Sequence, residues 1–191
     1  MKYYKILMAD KSENDIVGHC ANDYGIGYDA LCQGKEFLNW NDAFMFYYNK
    51  NEGDIPTDYL ANDKGWFLIS ENLKELLEGM RVACQYFNIP IIEAVTNTPL
   101  NPYYGANILQ MVDALCLDAS EYSTMTVKKS TDVFHNIKKF AVHASKLNGI
   151  DVFKLATGSV FPIFVSQRFK DEVRKRNLTG MDFQEIRVVP Y

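Results

Sequence analysis

The stretch Gly65-Trp66-Phe67-Leu68-Ile69-Ser70-Glu71-Asn72-Leu73-Lys74-Glu75-Leu76-Leu77 is echoed 96 positions later by Phe161-Pro162-Ile163-Phe164-Val165-Ser166-Gln167-Arg168-Phe169-Lys170-Asp171-Glu172-Val173. In each copy a short apolar run stops at a serine, and apolar residues at helical spacing follow, which predicts a strand feeding directly into a helix. Leu73, Leu76, Leu77 and Met80 fall at i, i+3, i+4 and i+7 and form one buried stripe; Phe169 and Val173 mark the same stripe in the second copy. A serine at this junction accepts a hydrogen bond from a first-turn N–H that otherwise lacks a partner, worth about 1 kcal/mol. The same position holds the nucleophile of a catalytic elbow, but that sharp turn needs flanking glycines, and neither Ser70 nor Ser166 has them. Both serines are therefore read as caps. Gly79 and Asn177 are expected to take the left-handed conformation that ends each helix.

Working outward, Asn62-Asp63-Lys64-Gly65 supplies turn chemistry before the first strand, and Ile89 to Val95 reads as the strand that returns after the first helix. In the second copy Asp151 to Leu155 alternates, Ala156 to Ser159 turns, Val160 to Val165 returns as a hairpin partner, and Gln184 to Val189 is a last strand. Tyr3 to Met8 is an opening strand. The expected architecture is a single α+β domain over residues 1–191, with a mixed, largely antiparallel sheet and a few packed helices. Two related hairpin-helix-strand halves are expected, at 61–100 and 150–191, with 1–60 as an N-terminal part. Residues 107–117 and 133–144 are apolar in a way that fits helix and strand equally, and periodicity leaves both open.

A chain of 191 residues is long enough to bury a substantial core without disulfides or metal. The four cysteines, Cys20, Cys32, Cys84 and Cys116, form no CxxC pair and read as buried free thiols. No segment approaches the roughly 18 apolar residues of a membrane span, and the start lacks a signal peptide, so a cytoplasmic protein is expected. A net charge of −4 argues against sequence-independent nucleic-acid binding. Arg174-Lys175-Arg176 falls at a helix end, where cations complement the dipole. Gly25-Ile26-Gly27 lacks the third glycine of a nucleotide fingerprint and reads as a turn.

The histidines His19, His135 and His143 have no carboxylate or cysteine at a catalytic spacing, and Asp113 with Asp118 is a carboxylate pair of undefined geometry. Catalytic, metal and cofactor residues are therefore expected to be none. The aromatic segment Phe37 to Tyr48 is denser than a core needs, and both a core face and a partner surface account for it. Its residues Trp40, Phe46, Tyr47 and Tyr48 are the candidates for partner contact.

The run Val152-Phe153-Lys154-Leu155, then Ile163-Phe164-Val165-Ser166 with Phe169-Lys170, then Leu178-Thr179-Gly180-Met181-Asp182-Phe183 resembles the immunity-protein-eleven family of bacterial polymorphic toxin systems, formerly a domain of unknown function. The resemblance continues upstream at Trp66 to Leu73, at Asn107 with Val112-Asp113-Ala114-Leu115, and at Ser145-Lys146-Leu147. It runs from about Trp66 to the end of the chain; before that only Trp40 matches. Lys154 departs from the family pattern, which has arginine after the phenylalanine, and Cys116-Leu117-Asp118 keeps an acidic pattern only in part.

The resemblance implies an antidote that binds a cognate toxin domain encoded by a neighbouring gene, with no catalysis and no cofactor. The best-matching positions, Trp66, Ser70, Asn107, Asp113, Phe153, Ser166, Gly180 and Phe183, are read as structural. Two other readings stand beside it. One is a small Cys/His-dependent hydrolase or transferase; the other is a homo-oligomeric scaffold or ligand-binding module that uses the aromatic segment.

Overall fold

The computed structural model describes residues 1–9, 12–126, 133–156 and 162–190. Fifteen strands and two helices follow in the order β1 (Tyr3–Met8), β2 (Val17–Gly18), β3 (Phe46–Tyr48), β4 (Ala61–Asn62), β5 (Leu68–Ser70), α1 (Glu71–Gly79), β6 (Cys84–Ile89), β7 (Ile91–Glu93), β8 (Tyr103–Ile108), β9 (Met111–Val112), β10 (Glu121–Thr126), β11 (Val133–Lys139), β12 (Ala141–His143), β13 (Val152–Leu155), β14 (Phe164–Ser166), α2 (Gln167–Lys175) and β15 (Met181–Val189). The largest sheet runs β12-β15-β1-β14-β13-β9, and a second runs β5-β8-β6. The expected class, α+β with a mixed, largely antiparallel sheet, holds: among the described strands β12–β15, β13–β9, β3–β7 and β2–β4 pair in parallel, and a single parallel bridge joins Asp15 and Ile55.

The echo seen in the sequence is one part of a duplication that spans almost the whole chain. β5 and β6, joined by α1, flank β8 and are both antiparallel to it; β14 and β15, joined by α2, flank β1 in the same way. Tyr103 stands opposite Ser70 and Ile89, and Tyr3 opposite Ser166 and Ile186. The hairpin partners correspond too, with Tyr59 opposite Ile69 and Val152 opposite Val165. Beyond them, β4 pairs in parallel with β2 as β13 does with β9, and β7 with β3 as β15 does with β12. The first unit is therefore β1 to β7 and the second β8 to β15. Each unit gives its first strand to the centre of the other's sheet.

This exchange explains the distribution of the core. A central cluster under both helices takes residues from both units, among them Leu73, Leu76 and Leu77 from α1, Phe169 and Val173 from α2, Tyr4 and Ile6 from β1, and Ala106 and Ile108 from β8. An aromatic cluster lies on the outer side of the first unit and includes Tyr103; its counterpart in the second includes Tyr3. At about 1.5–3 kcal/mol per fully buried large apolar side chain, the central cluster ties the two units into one folding unit.

Several expectations are corrected here. Residues 107–117 and 133–144 contain strands β8, β9, β11 and β12 and no α-helix. Ile89 to Val95 is not one strand: Pro90, which has no N–H to donate, separates β6 from β7, and the two join different sheets. Of the turn expected at Ala156 to Ser159 and the return strand expected at Val160 to Val165, residues 157–161 lie outside the described residues, and the strand that pairs antiparallel with β13 is β14.

Asn177 takes the left-handed conformation (φ 54°) as expected, but in α1 that residue is Arg81 (φ 57°), not Gly79. Both ends close identically. The N–H two residues past each cap, at Val82 and Leu178, reaches back to Leu77 and Val173, and those of Arg81 and Asn177 reach Glu78 and Arg174. Gly79 is thus an ordinary helical residue with open space where a Cβ would sit. Gly79→Ala is expected to stabilise the protein by about 0.5–1 kcal/mol, seen as a higher urea midpoint. A lower midpoint would count against this assignment of the helix end.

Candidate functional site

The chemically capable side chains are dispersed. Among the described residues no group of three or more His, Cys, Asp or Glu is placed to hold a metal ion. His19 sits half-exposed on the surface with Nε2 3.3 Å from a Glu52 carboxylate oxygen, His143 ends β12, and His135 lies on β11 with its side chain outside those described. Burial pushes the Cys84 thiol up to about 12 and raises Cys32 and Cys20 as well. A thiol must lose its proton to act as a nucleophile, so these environments work against cysteine catalysis.

What the fold does assemble, twice, is a polar station at the start of each helix. Ser70 Oγ accepts from Leu73 N at 3.3 Å and Ser166 Oγ from Phe169 N at 3.2 Å, as the sequence predicted for caps. Each hydroxyl donates its own proton to an aspartate, Ser70 to Asp58 at 2.6 Å and Ser166 to Asp151 at 2.5 Å. The serine N–H bonds the carbonyl of that same aspartate. The residue before the aspartate accepts from a tyrosine on the exchanged strand: Tyr103 donates to the Thr57 carbonyl at 2.8 Å, and the Tyr3 hydroxyl lies 3.1 Å from the Ile150 carbonyl. The next tyrosine, Tyr104 or Tyr4, donates to the first helical side chain, Glu71 or Gln167, and lies under the lysine of the following turn, Lys74 or Lys170.

Grooves of about 400 Å³ beside α1 and 500 Å³ beside α2 open onto these stations. Their polar atoms are already committed to one another: each serine oxygen caps its helix while its hydroxyl donates to the aspartate. The stations hold strand, helix and exchanged strand together.

One station has a measurable acid signature. Burial alone would raise the Asp151 carboxyl, but the Arg168 guanidinium and Ser166 hydroxyl outweigh it and hold the group below the ordinary carboxylate value. A folded value below the unfolded one, about 3.9, gives stability that is fully present above about pH 4 and is lost as pH falls through the folded value. Asp151→Asn is therefore expected to flatten the acid limb of a stability–pH curve. An unaltered slope below about pH 4 would exclude Asp151 as a contributor.

The sequence-selected residues divide cleanly. Trp66 is fully buried, its backbone N–H bonded to Asn62 Oδ1 and its indole N–H to the Tyr28 carbonyl at 2.7 Å. Asn107 is buried and its amide donates to the Lys35 carbonyl at 2.7 Å and to Gln85, fixing the 35–37 segment; its Oδ1 has no partner among the described residues. Phe153 stacks on Phe164 and meets Tyr3 edge-on, while Phe183 packs against Tyr4 and Phe169. Asp113 lies exposed just after β9. Gly180 has φ +83° and lies against the Tyr59 carbonyl.

Of the four aromatic candidates for partner contact, Phe46 and Tyr48 are buried, and Trp40 stacks on Phe87 at 4.6 Å beside Phe44 and Trp66. Core packing accounts for these three; Tyr47, on the opposite side of β3, keeps an outward position. The residues missed from the sequence are Asp58, Asp151 and the doublets Tyr3-Tyr4 and Tyr103-Tyr104. Those doublets, with lysine four residues after each serine, were the available signal.

This duplicated scaffold coincides with a known family. A family model described as an immunity protein family, Imm11, matches residues 2–188. The chain belongs to the Imm11 family. The match takes in the first 60 residues, where the sequence offered little beyond Trp40, and this agrees with the fold: an Imm11 domain without β1 would lack the central strand of its largest sheet. No curated protein matches this Imm11 chain. Among its described residues, no helix is long and apolar enough to cross a membrane.

Proposed function

We propose that this Imm11 chain neutralises a cognate toxin domain, encoded by a neighbouring gene, by binding it, and that it acts in the cytoplasm of the producing bacterium and its kin. Membership of an immunity protein family over residues 2–188 carries this reading. The side-chain chemistry is consistent with it: the cap serines are engaged by aspartates, and burial raises the Cys20, Cys32 and Cys84 thiols above their ordinary value. Inhibition by binding needs a rigid scaffold, which the two interlocked units supply, and no activated nucleophile.

The test is co-expression with the C-terminal domain of the reading frame immediately upstream. Protection from that domain and stoichiometric co-purification are the expected results. Continued cell death without co-purification would defeat the proposal.

A further inference from the structure

The duplication is broken at one place, and the break exposes a surface. In the second unit the β9–β13 pair aligns Met111 with Lys154; in the first, the corresponding β2–β4 pair aligns Val17 with Ala61. The Met111–Lys154 pair is roofed by the 31–35 segment of the first unit. Lys154 is buried and donates to the Cys32 carbonyl at 2.7 Å, and Gly34 lies so close that a Cβ there would stand 2.0 Å from Met111 Sδ. The segment of the second unit that corresponds to this roof connects β9 to β12, and it contains the two-stranded β10–β11 ribbon instead. Val17 is left 40% exposed.

The surface that continues from β2 is apolar and acidic: the Ile16 N–H donates to the Ile55 carbonyl, Asp63 bonds both Gly18 and Cys20, and Tyr28 lines the adjoining hollow with Asp23 and Asp63. Ile55 is 46% exposed, Tyr24 41% and Tyr28 64%. The Tyr24–Tyr28 loop is held in place: Ile26 is buried, its carbonyl accepts from Lys64, and the Trp66 indole bonds the Tyr28 carbonyl. Asp54 and Asp63 are exposed, and Asp23 and Glu52 are more than half so. Among the described residues Lys64 stands beside Asp23, His19 lies against Glu52, and Lys50 is exposed. Charge separates the two units in the same sense: residues 1–100 carry 15 acidic and 8 basic side chains, residues 101–191 carry 9 and 12. Rigid tyrosines amid carboxylates, around an uncovered apolar strand, have the character of a binding hot spot for a cationic partner.

We propose that this open face, centred on Val17 and rimmed by Tyr24 and Tyr28, is where the toxin domain docks, and that the element seated on it is a loop carrying exposed lysine or arginine. The roof over Met111 and Lys154 shows how polypeptide covers the corresponding face. The assignment rests on the toxin-binding reading above.

The test measures affinity of the full chain for the upstream toxin domain. Val17→Arg and Tyr28→Ala are each expected to weaken binding about tenfold or more, and Asp54→Lys to slow association, while Lys146→Glu on the second unit changes little. Hydrogen exchange on the wild-type complex, independent of any variant's folding, is expected to show new protection at 17–19 and 24–28. If the wild-type chain binds and the variants bind as tightly, or protection appears elsewhere, the docking proposal is overturned and the toxin-binding reading survives. If the wild-type chain does not bind, both fall. A chain that is dimeric by light scattering, and monomeric as Val17→Arg, would identify a second copy as the occupant and likewise overturn it.

Discussion

A chain lacking residues 1–9 is expected to show no cooperative unfolding transition, although the segment removed looks like a dispensable terminus. β1 is the interior strand between β14 and β15, paired from Tyr3 to Lys5 on one side and from Tyr3 to Met8 on the other. Its removal strips hydrogen bonds from both neighbours and withdraws Tyr3, Tyr4 and Ile6 from two clusters of the core. At about 1.5–3 kcal/mol for each fully buried side chain, their loss alone approaches the 5–15 kcal/mol that separates most folded domains from their unfolded chains. The Tyr3 hydroxyl also holds the Leu147 carbonyl at 2.7 Å, so the approach to the α2 station loosens with it. Urea titration followed by tyrosine and tryptophan fluorescence measures this. A truncated chain with a cooperative transition near the full-length midpoint would show that β1 is peripheral.

Local order was the part most open to reading from the amino acids. The cap serines, the buried stripes of both helices, the strand Tyr3–Met8 and the left-handed Asn177 follow from near-neighbour chemistry, and the structure has each of them. Gly79 misled because glycine is only the commonest left-handed residue; the register of the Schellman bonds selects the position, and it fell on Arg81. Pairing between distant strands left weaker traces. Nothing in Tyr3 to Met8 says that its partners lie more than 150 residues away, and the apolar runs at 107–117 and 133–144 are ambiguous because each is divided between two strands that join different sheets.

The site was less legible than the fold, for a related reason. The aromatic segment is unusually dense, and its density serves the outer core of the first unit, where Trp40, Phe44, Phe46 and Trp66 pack as one group. The asymmetry that opens the Val17 face emerges only when the two units are superposed in register, because Val17 and Met111 have no sequence context in common. Divergence between copies is where a duplicated scaffold is free to acquire a surface, since the paired stations at α1 and α2 are retained for folding.

Gly180→Ala is expected to cost about 3 kcal/mol or more, whereas Gly149→Ala should cost only about 1–2 kcal/mol. Both glycines have positive φ, +83° and +73°, so both substitutions carry the left-handed penalty of an L-residue. Only at Gly180 is the space also taken: a Cβ would lie 2.2 Å from the Tyr59 carbonyl oxygen and 2.8 Å from Thr57, while at Gly149 it would meet nothing within 4 Å. The obstruction is backbone, so no rotamer change relieves it. Gly180 and Thr179 are also where the units clasp. The Gly180 carbonyl accepts from Ala9, the Thr179 carbonyl from Tyr59, and the Thr179 N–H donates to Asp58 at 2.8 Å, the carboxylate that also receives the Ser70 hydroxyl. Pushing the 57–59 segment away therefore disturbs the α1 station, the end of β1 and the start of β15 together. The difference between the two variants in urea midpoint isolates the packing cost from the conformational one. Equal losses would mean that left-handed strain alone explains glycine at 180, and that the clasp between the units tolerates a methyl group.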